Sequence, residues 1–262
     1  MDFLAVEQNL RESFRVLASD RPSADVRDVG GVTIASAGVA FQMFNAAFLA
    51  LPVQGEAVEL ERRIATAAVH FRARGLDWSF WVCDDMVERR ARRKMESIFS
   101  SQGMHKSVEL PGMAADELAP ARNALPPLEI RRVADEPTRL AFCDIGSVCF
   151  HVPNSWFREI FLWERLWRDG FTGFVAYRHG EAVATAATVW AGGSIGVYNV
   201  ATLPRHRRLG IGEAVMRHAL DEAARETGCR RSILQSTEYG YRLYQTMGYK
   251  KVTQLTVYAS DT

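Results

Sequence analysis

The segment 205–212, RHRRLGIG, gathers three arginines and a histidine and then gives up its side chains at Gly210 and Gly212. Beyond it Ile211, Val215 and Ala219 recur at helical spacing, with Glu213, Arg217, Asp221 and Arg225 on the opposite face. A strand therefore turns into a helix at the glycines. The first N–H groups of a helix have no backbone partner and lie at the positive end of its dipole. Glycines let an anion approach that backbone closely, and arginines add charge that pairs with phosphate. The segment reads as a pyrophosphate cradle. It is not a Walker loop, because GK[ST] is missing, and position 215 holds Val215 where a dinucleotide fingerprint needs a third glycine.

The elements that must position this cradle are legible around it. Two turn signals, His179-Gly180 and Gly192-Gly193, divide residues 171–204 into three strands, the last reading SIGVYNVAT. A helix over about 210–227 stops at Gly228, a strand RSILQS follows, then a short helix YGYRLYQTMG and a last strand KKVTQLTVYA. Before them come a strand LEIRRV and helices over 137–149 and 155–168. Strands and helices alternate, which predicts an α/β fold with a mixed sheet.

The segment VATLPRHRRLGIG resembles the acetyl-CoA-binding motif of the GNAT superfamily of N-acetyltransferases. LYQTMGY at 243–249 resembles the superfamily's second hallmark, a tyrosine four residues before a glycine and an aromatic. The resemblance covers residues 128–262. It implies acetyl-CoA as acyl donor, with Arg207, Gly210 and Gly212 matching the motif and Arg208, Leu209, Ile211 and Glu213 lining the pyrophosphate beside them. It implies that Val200, Ala201 and Thr202 lie on a splayed strand whose backbone pairs with the pantetheine arm. N–H groups near Val200 and Ala201 would then polarise the thioester carbonyl. Tyr244 would protonate the leaving thiolate, and Ser236 would contact the cofactor. The implied reaction is direct attack by a primary amine of a small molecule or peptide in a ternary complex. A non-catalytic acyl-CoA-binding module is the alternative. The strand SIGVYNVAT lacks the carboxylate many members use as base; Glu159, Glu164, His151 and a water chain supported by Tyr198 and Asn199 all stay open.

The first half echoes the second. NAAFL at 45–49 parallels NVATL at 199–203, and each precedes an amphipathic helix, a glycine (Gly75 or Gly228) and an apolar strand, DWSFWVC or RRSILQS. The expected layout is two GNAT-like domains in tandem: a degenerate one at 1–110, a Pro/Ala-rich linker at 111–127 and a catalytic one at 128–262. The first lacks the arginines, keeps only Gly55 of the glycine pair, and carries Phe99 where the second has Tyr244. It is expected to be inert toward acetyl-CoA, and either shapes the acceptor pocket or only stabilises its partner. Such a chain can stand as a monomeric pseudo-dimer. Its opening is read as a helix over 2–17, a loop over 20–31 and strands VTIAS and VAFQMFNAAF; later a charged helix runs from Met86 to Gly103.

Composition sets the remaining bounds. A net charge of +1 argues against a general nucleic-acid or membrane-surface binder. All but four of the 32 basic residues are arginine, a bias too broad to mark one site. Four dispersed cysteines and no basic, apolar leader suggest a reducing, cytoplasmic setting. The six histidines form no close ligand pair, so no metal is expected. GGSIG at 192–196 fits a nucleophile-elbow pattern by letter, but a strand rather than a helix follows it, which reads as a hairpin turn. Trp156, Phe157, Trp163 and Trp167 read either as core or as the wall of an acceptor pocket.

Overall fold

A computed structural model describes residues 2–55, 57–168 and 170–260. The chain opens with α1 (Asp2–Ala18), which buries Val6, Leu10, Phe14 and Leu17 at steps of three and four. Next come β1 (Asp25–Val29), β2 (Val32–Ser36), β3 (Asn45–Leu49), α2 (Ala57–Arg72), β4 (Ser79–Cys83), α3 (Arg89–Arg92), α4 (Met95–Ser101) and β5 (Met104–Ala115). The second half contributes β6 (Glu129–Arg132), α5 (Glu136–Phe150), α6 (Asn154–Phe161), β7 (Phe171–Arg178), β8 (Glu181–Ala191), β9 (Ser194–Thr202), α7 (Ile211–Thr227), β10 (Ser232–Gln235), α8 (Glu238–Thr246) and β11 (Lys250–Ser260).

Most of the expected elements are present, with four differences. β1 lies inside the expected loop 20–31; it is a polar, largely exposed edge strand, so no apolar alternation marks it. The strand expected over 39–48 is regular only from Asn45, after a short 3-10 turn. The charged helix is broken into α3 and α4. The helix over 155–168 ends at Phe161 and resumes as a 3-10 turn at Glu164–Trp167. The helix α5 starts where its sequence says: Asp135 Oδ1 accepts from the Thr138 N–H at 3.0 Å, and Thr138 Oγ1 accepts from the Asp135 N–H at 3.2 Å, a reciprocal cap.

All the strands join one mixed eleven-stranded sheet in the order β1-β2-β3-β4-β11-β5-β10-β9-β8-β7-β6. The order is nearly symmetric about the β11–β5 pair, with four strands on one side and five on the other. On either side of the antiparallel β11–β5 pair lie an antiparallel neighbour, then a parallel pair (β3 with β4, β9 with β10), then antiparallel strands. The last strand of each half pairs into the other half. β5, from the first half, pairs with β10 of the second; β11, from the second half, pairs with β4 of the first. The expected linker 111–127 therefore begins inside the sheet, because Pro111–Ala115 belong to β5. Pro111 lacks an N–H, yet its carbonyl still accepts from the Ser236 N–H at 2.9 Å. Only residues 116–128 run outside regular structure.

α7 covers one face of the second half with Ile211, Val215 and Ala219, and α5 and α6 cover the other with Phe142, Phe157 and Phe161. The end of α1, Leu17 and Ala18, packs into that α5–α6 cluster, so the N-terminal helix lies across both halves.

Candidate functional site

The parallel pair β9–β10 decides the site. Its ladder runs from Ile195↔Ser232 to Val197↔Leu234 and stops there, although β9 continues to Thr202. A bulge sits at the parting. Asn199 has φ +49°, and β8 keeps pairing across the irregularity through Ala187↔Tyr198 and Thr185↔Ala201. Asn tolerates the left-handed region better than most residues. The bulge shifts the side-chain alternation, so Val197 and Val200 both face the α7 side while Ala201 packs toward α5.

The backbone beyond the bulge divides its donors between two sides. Thr185 Oγ1 donates to the Asn199 carbonyl at 2.8 Å, which turns the N–H of the same peptide, that of Val200, away from β8. The Leu203 N–H donates to the Val183 carbonyl at 3.0 Å, and alternation then points Ala201 at β8 as well. Val200 and Thr202 therefore present their N–H groups to the open edge. Donors are expected near Val200 and Ala201; the antiparallel register instead turns the Ala201 N–H toward β8 and leaves those of Val200 and Thr202 at the edge.

Below this edge the chain crosses a short 3-10 turn at Pro204–His206 and reaches the glycine loop. Arg208 has φ +63° and Gly210 φ +75°, and α7 starts at Ile211 with no side-chain cap. Among the described residues, no N–H from Arg208 to Glu213 donates to a backbone carbonyl. Such a run of free N–H groups with alternating backbone hand forms a concavity suited to an anion. Gly212 is needed for closeness, since a Cβ there would come within 3.1 Å of Thr202 Oγ1. Arg207 turns back, and its Nε donates to the Thr202 carbonyl at 3.1 Å. Glu213 directs its carboxylate along the helix to Arg217 at 2.8 Å, leaving its N–H in the loop. Leu209 is exposed at the rim. Arg205 and His206 are drawn to Glu181 instead.

Tyr244 lies on α8 in a cluster with Val197, Leu234 and Met113, against which Val200 also packs. Burial alone pushes its pKa up to about 12. Ser236 is fully buried; its N–H is taken by Pro111 and its hydroxyl donates to the Thr237 carbonyl at 2.7 Å, so both its donors serve the protein. Glu159 is exposed on α6, Glu164 is exposed and paired with Arg168, and His151 ends α5 with φ +55°. Of the four aromatics, Phe157 and Trp167 are core, Trp156 stacks on Phe41 from the first half at 4.9 Å, and Arg21 lies over Trp163.

The site has contributors that no motif announced. The connecting segment passes over it: Pro126 stands 3.2 Å from where a Gly210 Cβ would be, and the Ala119 carbonyl accepts from Arg217 at 2.7 Å. α1 supplies Asn9, whose Oδ1 accepts from the Tyr198 hydroxyl at 2.7 Å.

In the first half the same seam is closed. β3 pairs with β4 through Ala46–Phe48, and the chain beyond is sealed by a parallel bridge between Val53 and Val87. The Val53 N–H donates to Met86 at 2.7 Å, and the Glu88 N–H donates to the Val53 carbonyl at 3.0 Å. Arg63, buried on α2, donates to the Leu51 and Pro52 carbonyls, and Phe99 stacks on Tyr258.

Residues 169–251 match the family model for the acetyltransferase (GNAT) domain. This stretch is a GNAT domain. The span takes in the bulged strand, the glycine loop and Tyr244. Over its whole length the chain has the fold of a GCN5-related N-acetyltransferase from Kribbella flavida, at 19% identity and TM-score 0.74, covering 100% of this chain and 96% of that one. It is also similar to a functionally unknown conserved protein from Staphylococcus epidermidis (12% identity, TM-score 0.66, 91% and 94% covered). A GCN5-related N-acetyltransferase from Sphaerobacter thermophilus matches at 13% identity and TM-score 0.56, over 88% of this chain and 76% of that one. At these identities the likeness is one of fold. Among curated proteins none matches in sequence. No helix among the described residues is long and apolar enough to cross a membrane.

Proposed function

We propose that the chain is an acetyl-CoA-dependent N-acetyltransferase whose GNAT domain carries the chemistry, with a primary amine of a small molecule or peptide as acceptor. The observation that supports this most directly is the parting of β9 from β10 after Val197, followed along the chain by the glycine loop that opens α7. The residues present fit the donor. The N–H groups of Arg208, Leu209, Gly210, Ile211, Gly212 and Glu213 would hold its pyrophosphate, with Arg207 bracing the loop. Val200 and Thr202 would pair with its amide-bearing arm. Ser236 would serve as a wall rather than a donor.

When bound, acetyl-CoA supplies an activated thioester. The Val200 N–H would favour the negative charge that develops on the carbonyl oxygen. Tyr244 keeps its proton because burial disfavours the phenolate, and would give that proton to the departing sulfur. The acceptor amine is read as attacking directly, without an enzyme-bound acyl group: Cys83 and Cys143 are buried, with thiol pKa values pushed up to about 11 and about 12, burial also raises the half-buried Cys149 beside Arg207, and Cys229 lies at the Gly193 turn.

The first half is read as a duplicated, inert GNAT-like copy, making the chain a pseudo-dimer in which one monomer suffices. The closed Val53–Val87 seam supports that reading. Calorimetric titration with acetyl-CoA tests both points. One site per chain, abolished by Gly212→Asp, is expected; two sites would refute the inert copy, and no binding would refute the transferase reading. A second reading, an acyl-CoA-binding module without catalysis, is favoured by the exposed positions of Glu159 and Glu164. Tyr244→Phe separates the two: an enzyme loses roughly 10²–10⁴-fold in turnover and keeps its cofactor affinity.

A further inference from the structure

We propose that Asn9, on the N-terminal helix, is a positioning residue for the GNAT cleft: through the Tyr198 hydroxyl it fixes the point where β9 leaves β10 and so the aim of the Val200 N–H. The proposal rests on the transferase reading above.

Asn9 is 0% exposed on the buried face of α1, among Val6, Leu10 and Ser13. A buried amide is unfavourable unless its groups are bonded, and an aliphatic side chain would fill the place without that demand. Every bond Asn9 makes goes to one hairpin of the other half. Its Nδ2 lies 3.2 Å from the Val189 carbonyl, 3.0 Å from Ala191 and 2.9 Å from Ser194, while Oδ1 accepts from Tyr198. Gly196 makes the room, since any side chain there would collide with Asn9 Oδ1 and the Tyr198 ring. The same hydroxyl is approached by Ser13 from α1 and Gln235 from β10.

Tyr198 stands at the one place where this matters. It follows the last rung, Val197↔Leu234, and precedes Asn199 with its positive φ. The next peptide is the one held by Thr185 Oγ1 that turns the Val200 N–H to the open edge. A strand released from one neighbour is free to twist. Tying the Tyr198 side chain to α1 through Asn9 restrains that twist on the face opposite α7. A donor that polarises a carbonyl must hold its direction to be effective. The first half thus reaches the chemistry through one amide.

The test is infrared difference spectroscopy with acetyl-CoA carrying 13C at the thioester carbonyl. In the wild type, binding is expected to move the carbonyl band to lower frequency. Tyr198→Phe and Asn9→Leu are expected to lose at least about half of that shift while the dissociation constant changes by less than about threefold. A role limited to packing would lower the melting temperature and leave the band of the bound thioester where it is. Should Asn9→Leu not fold, Tyr198→Phe decides alone, since it removes one oxygen atom. A full wild-type shift in folded Tyr198→Phe would overturn the proposal and leave the transferase reading standing. Failure of the wild type to bind acetyl-CoA would overturn both.

Discussion

Tyr244, Cys83 and Cys143 share a condition at the scale of single residues: burial holds each in its protonated form. Their pKa values rise to about 12, about 11 and about 12 from ordinary values of 10.0, 9.0 and 9.0. A group whose folded pKa is raised lends stability that is complete below its unfolded value and is lost as pH climbs toward the folded one. The melting temperature should therefore hold up to about pH 8.5 and fall steadily above it, as the unfolded thiols and then the tyrosine ionise. Thermal melts across that range check this, and a flat curve to about pH 10.5 would contradict it. The same property serves the proposed chemistry, because an acid that ionises near 12 is still charged with its proton at neutral pH.

At the scale of elements the cleft is a property of β9 and its bulge. Asn199 at φ +49° is what allows Val197 and Val200 to face the same side. A β-branched residue is strained in that conformation, so Asn199→Val should cost about 1–3 kcal/mol and pull the strand toward regular pairing. Asn199→Gly, which takes a positive φ without strain, should keep acetyl-CoA affinity where Asn199→Val loses it. Titration calorimetry on the two variants reads the difference, and equal affinities would show that the bulge does not set the cleft. The closed counterpart in the first half shows the same principle reversed. There Val53, after β3, spends its N–H on Met86 and its carbonyl on Glu88, which closes the edge at that point.

At the scale of the whole molecule the cross-pairing of β5 and β11 welds the halves. β10 has β5 as its antiparallel neighbour, and β4 has β11. Residues 128–260 expressed alone would bare β10 as a sheet edge and remove α1 from the Tyr198 side. An unpaired edge recruits other chains. That fragment is expected to aggregate or self-associate, as read by light scattering after gel filtration, whereas a monomer with native-like circular dichroism would show that the cross-pairing is dispensable.

Local features follow from the order of residues along the chain. Arg207, Gly210 and Gly212 at their spacing, the turns at Gly180 and Gly193, and the helix stops at Gly75 and Gly228 act through neighbouring backbone, so their meaning is readable along the chain. β1 escaped notice because an exposed edge strand needs no apolar alternation. The tertiary structure alone decided which strand lies beside which, since β5 and β11 are alike in length and either could complete either half. It also decided that Pro126 covers the glycine loop and that Ala201 turns its N–H into the β8 ladder. Asn9 looks like any polar residue on a surface helix until the fold brings Gly196 and Tyr198 to it from nearly 190 positions away. Contacts across such distances leave no periodic trace, because the partners are chosen by the packing of the sheet and not by their neighbours in sequence.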